Sequence, residues 1–254
     1  MFDRIAGVYD LMNTAMTAGL HHRWRARAAD LAHIGPGDRV LDVATGTGDL
    51  AFELARRVSP GGEVIASDFA EAMLARARVK AASSGAGRVR PQFEWGDALE
   101  LSYSDASFAA ATVGFGARNF SDLARGLSEM VRVVRPGGRV VVLEITTPTR
   151  PPLSLFYRVW FDRVVPALGL LAGAVASLSS RVRARSNETT IADAYTYLPN
   201  SVKRFPAPEA LAGEMERAGL EEIRYVLLAG GIVAIHAGTV PATQAGVPSE
   251  KASS

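Results

Sequence analysis

Arg39-Val40-Leu41-Asp42-Val43-Ala44-Thr45-Gly46-Thr47-Gly48-Asp49 is the stretch around which the chain is organised. Val40, Leu41 and Val43 make a short apolar run broken by Asp42, and Thr45 to Gly48 follow as a glycine-rich turn. A helix-forming segment, LAFELARRV, starts at Leu50. A buried strand, a tight turn and a helix opening, in that order, mark the first unit of a parallel α/β sheet. Gly46 and Gly48 let the backbone turn sharply and approach a ligand closely. The next strand, 63–67, runs into Asp68, where a strand-end carboxylate can accept from both hydroxyls of a ribose. The pattern predicts a nucleoside-bearing cofactor.

Charge selects which cofactor. Gly46, Gly48 and Ala51 also satisfy G-x-G-x-x-A, the weak fingerprint of a dinucleotide site. A pyrophosphate wants bare backbone N–H groups without anionic side chains beside them. Here Asp42 precedes the turn and Asp49 follows it. Two carboxylates favour a ligand that carries a sulfonium and an ammonium, as S-adenosylmethionine does. That methyl donor is the cofactor the stretch predicts.

With 254 residues the chain can bury a substantial core as one domain. Its 48% hydrophobic and 21% charged residues are ordinary for a soluble α/β protein. The formal charge of +2, without a long basic run or basic-aromatic interleaving, argues against a nucleic-acid partner. The chain has no cysteine, which excludes disulfides, thiolate metal sites and cysteine-held iron–sulfur clusters. No metal is expected. Charged residues by Asp3 and Arg4 speak against a signal peptide, so a cytoplasmic location is expected.

From Arg39 onward strands and helices alternate: strand 39–43, helix 49–58, strand 63–67, helix 70–82, strand 89–95, strand 107–113, helix 120–134 and strand 138–144. Pro60-Gly61-Gly62, Gly85 to Gly87 and Pro136-Gly137-Gly138 read as turns between them. Such alternation predicts right-handed βαβ units and a parallel sheet with ligands at the carboxyl ends of its strands. Asp68, Asp97, Gly114 and Glu144 fall near those ends and are expected to line one crevice. Helix 207–218 and strands 220–228 and 230–237 close the chain, with Gly230-Gly231 suited to a two-residue hairpin. The expected fold is therefore a seven-stranded, mostly parallel sheet ending in an antiparallel pair.

Three flanking segments complete the expected organisation. Residues 1–38 precede the first strand as a helical lid or a helix packed on the core, and 39–238 form the main domain. The tail 239–254, rich in Ala, Ser, Gly and Pro, reads as disordered. Within the main domain, about 151–192 reads as an apolar and helical insertion. Val164 to Leu178 is nearly free of polar groups but short for a membrane span, and Arg181, Arg183 and Arg185 follow. Two readings stand for 153–178: buried core or subunit contact, or a face for a lipid tail and an anionic membrane surface.

The chain resembles one family over about residues 2–238: the UbiE/MenG quinone-ring C-methyltransferases. The general part of the resemblance is VLDVATGTGD, ASDFAEAML and RPGGRVVVLE, shared by class I S-adenosylmethionine-dependent methyltransferases with their Rossmann-like sheet. The specific part is FDRIAGVYDLMN, GLHHRW, GFGARNFSD, LEITTP, AYTYLPNSVKRFP and GGIVAIHAG, in that order. The resemblance implies cofactor contacts at Gly46, Thr47, Gly48, Asp68, Asp97, Ala98 and Gly114, the last standing where the family usually has serine. Thr45 replaces a frequent glycine, and 179–192 also departs from the family.

The substrate so implied is a polyprenyl hydroquinone, most simply demethylmenaquinol becoming menaquinol in respiratory quinone biosynthesis. A benzoquinol acceptor stays open, as do another hydrophobic acceptor and a noncatalytic lipid-binding scaffold. An ionised ring hydroxyl makes the adjacent carbon able to attack the sulfonium methyl. The protein must then position both partners, exclude water and help remove a phenolic proton. The resemblance places Arg118 and Asn119 at the reacting end, with Asp97 as a partner for an oriented water. Tyr9 and His236 are further candidates for proton transfer. Peripheral contact with the inner face of the cell membrane and a homodimer are expected partners of such an enzyme.

Overall fold

Strand β1 (Arg39–Val43) is buried from Val40 onward because it runs through the middle of a seven-stranded sheet. The computed structural model describes residues 19–82, 89–148, 151, 155 and 201–242. Helix α1 (Leu20–Leu31) precedes β1, and helix α2 (Asp49–Val58) follows it. Next come β2 (Glu63–Asp68), α3 (Glu71–Ala82), β3 (Gln92–Trp95) and β4 (Phe108–Gly114). A 3₁₀ turn (Ala117–Asn119) leads to α4 (Leu123–Val133) and β5 (Val134–Ile145). The described chain closes with α5 (Pro208–Arg217), β6 (Glu221–Leu228) and β7 (Val233–Thr239).

The strand order is β3-β2-β1-β4-β5-β7-β6. The first five strands are parallel, while β7 runs antiparallel to β5 and to β6. Strand residues alternate between two cores. Leu41, Val43, Ala111, Val113, Val140 and Val142 face Leu127 and Met130 of α4 and Leu211 and Met215 of α5. Val40, Ala66, Ala110, Val141 and Leu143 face Ala28 and Ala29 of α1 and Leu50 and Leu54 of α2. Burial on both faces explains why the parallel strands read as nearly continuous apolar runs. Helix α1 is tied to α2 by Arg57, whose Nη2 donates to Ala26 O at 2.8 Å and Asp30 Oδ1 at 2.7 Å.

Three details depart from the sequence expectation. The strand expected over 89–95 pairs only from Gln92, at the sheet edge beside β2. The turn expected at Pro136-Gly137-Gly138 lies inside β5 as a bulge, because the pairing with β4 shifts register between Phe108 and Ala110. Gly137, at φ 77°, donates there to Val240 O at 2.9 Å. The hairpin between β6 and β7 is not a two-residue loop: Leu228 pairs with Val233, leaving Ala229 to Ile232 between them. Tyr9, most of the 151–192 insertion including Arg181, Arg183 and Arg185, and the tail beyond Ala242 lie outside the described residues.

Candidate active site

Asp42 occupies the register position opposite Ala66 on β2 and Thr112 on β4, on the α1/α2 face of the sheet. It is 1% exposed. Its two oxygens accept from the hydroxyls of Thr112 and Thr45, each at 2.6 Å. Burial raises its pKa to about 6 against the opposing pull of those hydrogen bonds and of Arg25. Thr45, which replaces a glycine expected from the family resemblance, thus has a specific task in this chain.

The chain leaves β1 through Ala44, at φ 50°, and closes its turn with Gly46 at φ 59° and Gly48 at φ 85°. A Cβ on Gly46 would meet nothing within 4 Å, whereas one on Gly48 would come within 2.7 Å of the Phe93 ring. Gly46 therefore serves a backbone conformation and Gly48 serves close packing as well. Asp68, at the end of β2, locks this turn from the next strand. Its Oδ2 accepts from Gly46 N and its Oδ1 from Ala70 N, both at 2.8 Å. Each oxygen keeps acceptor capacity for a further donor such as a ribose hydroxyl.

These groups line a cavity of about 400 Å³. Gly46, Thr47, Asp68, Asp97, Ala98, Gly114 and Asn119, seven of the residues singled out from sequence, line it together. Asp97 folds its side chain onto the next turn, Oδ1 accepting from Leu99 N at 2.9 Å. Gly48, Arg118 and Glu144 do not line it. The expectation that Glu144 shares the crevice is corrected: its carboxylate is 1% exposed and turned to Arg118, with Nη1 to Oε1 at 2.6 Å. The Arg118 side chain is 6% exposed, also donates to Phe115 O at 2.6 Å, and so braces the turn 115–119. His236, the other base candidate, is buried beneath α5, with Nε2 2.9 Å from Pro208 O and its ring stacked on Tyr225. Burial lowers its pKa, and it is not part of the cavity wall.

Sequence reasoning missed Arg25, Phe69, Trp95 and Phe115 as lining residues. Phe69 and Trp95 are more than half exposed and offer aromatic faces at the mouth. Their position directly after β2 and at the end of β3 was the available signal. Arg25 carried no such signal, since it reaches the cavity from a helix before the first strand. Its Nη2 lies 3.4 Å from Asp49 Oδ2, and Lys80 Nζ lies 3.0 Å from Asp49 Oδ1. Burial alone would raise the Asp49 pKa, but the two cations outweigh it and hold it low.

The residues fit S-adenosylmethionine on their own chemistry. Four carboxylates, Asp42, Asp49, Asp68 and Asp97, surround the space, and Gly46 opens its Cβ position onto it without obstruction. A sulfonium and an ammonium suit that field, and Asp68 suits a diol. A pyrophosphate would meet the carboxylates instead.

Comparison with known proteins agrees. The family model described as the ubiE/COQ5 methyltransferase family matches residues 1–240. A demethylmenaquinone methyltransferase of Thermus thermophilus is 46% identical over 95% of this chain and 100% of its own length. A ubiquinone/menaquinone biosynthesis C-methyltransferase UbiE of Teredinibacter turnerae is 38% identical over 94% of this chain and 89% of its own. Among solved structures, an S-adenosylmethionine-dependent methyltransferase from Aquifex aeolicus aligns at TM-score 0.58 and 16% identity. That alignment covers 85% of this chain and 89% of the other, a likeness of fold.

Proposed function

The chain belongs to the ubiE/COQ5 methyltransferase family, and we infer that it is an S-adenosylmethionine-dependent C-methyltransferase of quinone biosynthesis. Its acceptor is the ring of a polyprenyl hydroquinone, with demethylmenaquinol as the substrate and menaquinol as the product. The observation that carries this reading is the acid-lined cavity between the ends of β1, β2 and β4, set in a chain that matches a demethylmenaquinone methyltransferase over 95% of its length.

Bound in that cavity, S-adenosylmethionine supplies an electrophilic methyl group on a sulfonium. Asp68 would accept from the ribose hydroxyls, the Gly46–Thr47 backbone would approach the ligand, and Asp97-Ala98 would hold the adenine. Gly114 contributes backbone only, in place of a hydroxyl. Asp42 would face the cationic part of the ligand, whose charge would favour ionisation of this group against the burial that otherwise resists it. Phe115 and Phe120 wall the side where a planar ring can stack. Asn119 and Asp97 stand at the reacting end, where they orient the ring hydroxyl or a water that takes its proton. Arg118 acts as a positioning residue: through Glu144 it fixes the turn that presents Asn119.

The test is a methyl-transfer assay with isotopically labelled S-adenosylmethionine. Demethylmenaquinol and a demethylated benzoquinol of equal tail length are offered, with products read by mass spectrometry. Label on the naphthoquinol ring supports the reading. Label on the benzoquinol alone moves the acceptor assignment, and label on neither removes it.

The proposal extends to the membrane surface. No helix among the described residues is long and apolar enough to cross a bilayer. A polyprenyl tail costs about 0.8 kcal/mol per methylene exposed to water, so a sheltered or membrane-facing route is needed. The sequence from Leu153 to Leu178, with Arg181, Arg183 and Arg185 after it, has the composition for docking on anionic lipid. Flotation with anionic vesicles should show salt-sensitive binding that falls when the three arginines become glutamate. Lack of binding at low salt refutes docking. Pairing of two copies through the same stretch is the competing use of that sequence, and light scattering reads it.

A further inference from the structure

The cavity is lined by four carboxylates but by a single basic side chain among the described residues, Arg25. It enters from α1 and is 6% exposed. Its guanidinium lies over the Phe115 ring, 5.5 Å from the centroid. Nη2 faces Asp49 at 3.4 Å, long for an ion pair, and Nη1 is buried with no hydrogen-bond partner among the described residues. A buried guanidinium donor left without an acceptor is unusual in a folded protein and marks a place for a missing one. Asp49 engages Nη2 alone, so Nη1 is left for an anionic group that arrives in the cavity.

Resting on the reading of the cavity as a methyl-donor site, we propose that Arg25 binds the carboxylate of the cofactor's amino-acid end, with Nη1 as the principal donor. Asp49, on the other side of the guanidinium, then receives the neighbouring ammonium. An α-amino acid carries its two charges on adjacent carbons, and an arginine beside an aspartate is the matching pair of opposite charges. A guanidinium gives a carboxylate two parallel donors in one plane, which Lys80 on the far side of Asp49 cannot supply. Arg25 would therefore distinguish the complete cofactor from analogues that lack the carboxylate. Its work is in binding and orientation, with no proton transferred.

Equilibrium titration by calorimetry tests this with four ligands: S-adenosylmethionine, S-adenosylhomocysteine, decarboxylated S-adenosylmethionine and methylthioadenosine. The wild-type protein should bind the two carboxylate-bearing ligands about 10- to 100-fold tighter than the decarboxylated one, the range of a charge-assisted hydrogen bond. Arg25→Gln should weaken those two by a similar factor. Binding of decarboxylated S-adenosylmethionine should stay the same or tighten, because Asp49 loses one of its two competing cations and keeps only Lys80. Arg25→Lys should recover part of the preference. An equal loss for all ligands in Arg25→Gln would mean that Arg25 acts through packing alone, and overturns the inference. Should the variants fail to fold, a wild-type ratio near one between complete and decarboxylated cofactor overturns it equally. Wild-type protein that binds neither S-adenosylmethionine nor methylthioadenosine removes the functional reading itself, whereas binding of both without a carboxylate preference removes only the role of Arg25.

Discussion

Asp42→Asn separates what the site costs the fold from what it gives the ligand. In the folded chain the Asp42 pKa stands at about 6 against an ordinary 3.8. The folded state thus holds this proton more tightly than the unfolded state does. The group's stabilising contribution is full below pH 3.8 and is lost as pH rises through about 6. Two pKa units correspond to about 3 kcal/mol, the penalty for keeping a buried carboxylate ionised at pH 8. An amide avoids that penalty but has one acceptor oxygen where two threonine hydroxyls now donate, a loss of about 1 kcal/mol. The variant without cofactor should therefore be about 2 kcal/mol more stable than wild type at pH 8. At pH 5 the wild-type carboxyl is mostly protonated in the fold, and the gain should shrink to under about 1 kcal/mol.

Urea unfolding at both pH values, with the slope m checked for equality, measures the difference. The same substitution should weaken S-adenosylmethionine binding. Wild-type affinity should fall as pH drops below 6, because the proton competes with the cation for this group, and the variant should lack that slope. A variant destabilised equally at pH 5 and pH 8 would refute the reasoning, since the carboxylate would then carry no burial penalty.

Asp68→Ala should weaken cofactor binding by about 1–3 kcal/mol, through loss of a charged acceptor for the ribose and of the brace on Gly46 N. Wild-type affinity by calorimetry would remove the assignment. Arg118→Ala should destabilise the fold by about 3–5 kcal/mol, because Glu144 stays buried without its partner. Arg118→Met combined with Glu144→Gln should restore most of that stability in thermal unfolding and keep cofactor affinity, while turnover stays low. Full turnover in the folded double variant would refute the positioning role.

How much of this was legible in the sequence depends on whether a residue acts locally. Gly46, Thr47, Asp68, Asp97 and Ala98 sit at strand ends, and once the strands are recognised their place in a parallel sheet follows. Period and punctuation located those strands to within a residue or two through β1, β2 and β4. The pattern failed where tertiary pairing overrides local signals. Glycines 137 and 138 look like a turn, yet β7 and Val240 hold them in a bulge. Gly230-Gly231 looks like a complete hairpin loop, yet the register of β6 on β7 requires four residues. Arg25 was invisible for a different reason: its role depends on how α1 docks on α2, and no spacing within α1 encodes that.

The reversal at the centre of the sheet explains which strand ends can hold ligand. After β1 the chain turns onto one face, where α2 packs with Val40 and Ala110; after β4 it turns onto the other, where α4 packs with Leu41 and Val113. The loops leaving these adjacent strands must diverge, and a gap opens between them. Residues 44–47 line one side of that gap, and 114–116 with 119–121 line the other. Glu144 ends the next strand outward, where β4 and the turn 115–119 stand between it and the gap. A carboxylate there meets the back of the turn, and Arg118 is the cation placed to neutralise it. Similar carboxylates thus take opposite work: Asp42, beside the reversal, and Asp68, one strand outward from β1, line the gap, whereas Glu144, one strand outward from β4, is screened from it by the turn 115–119 and holds that wall in place.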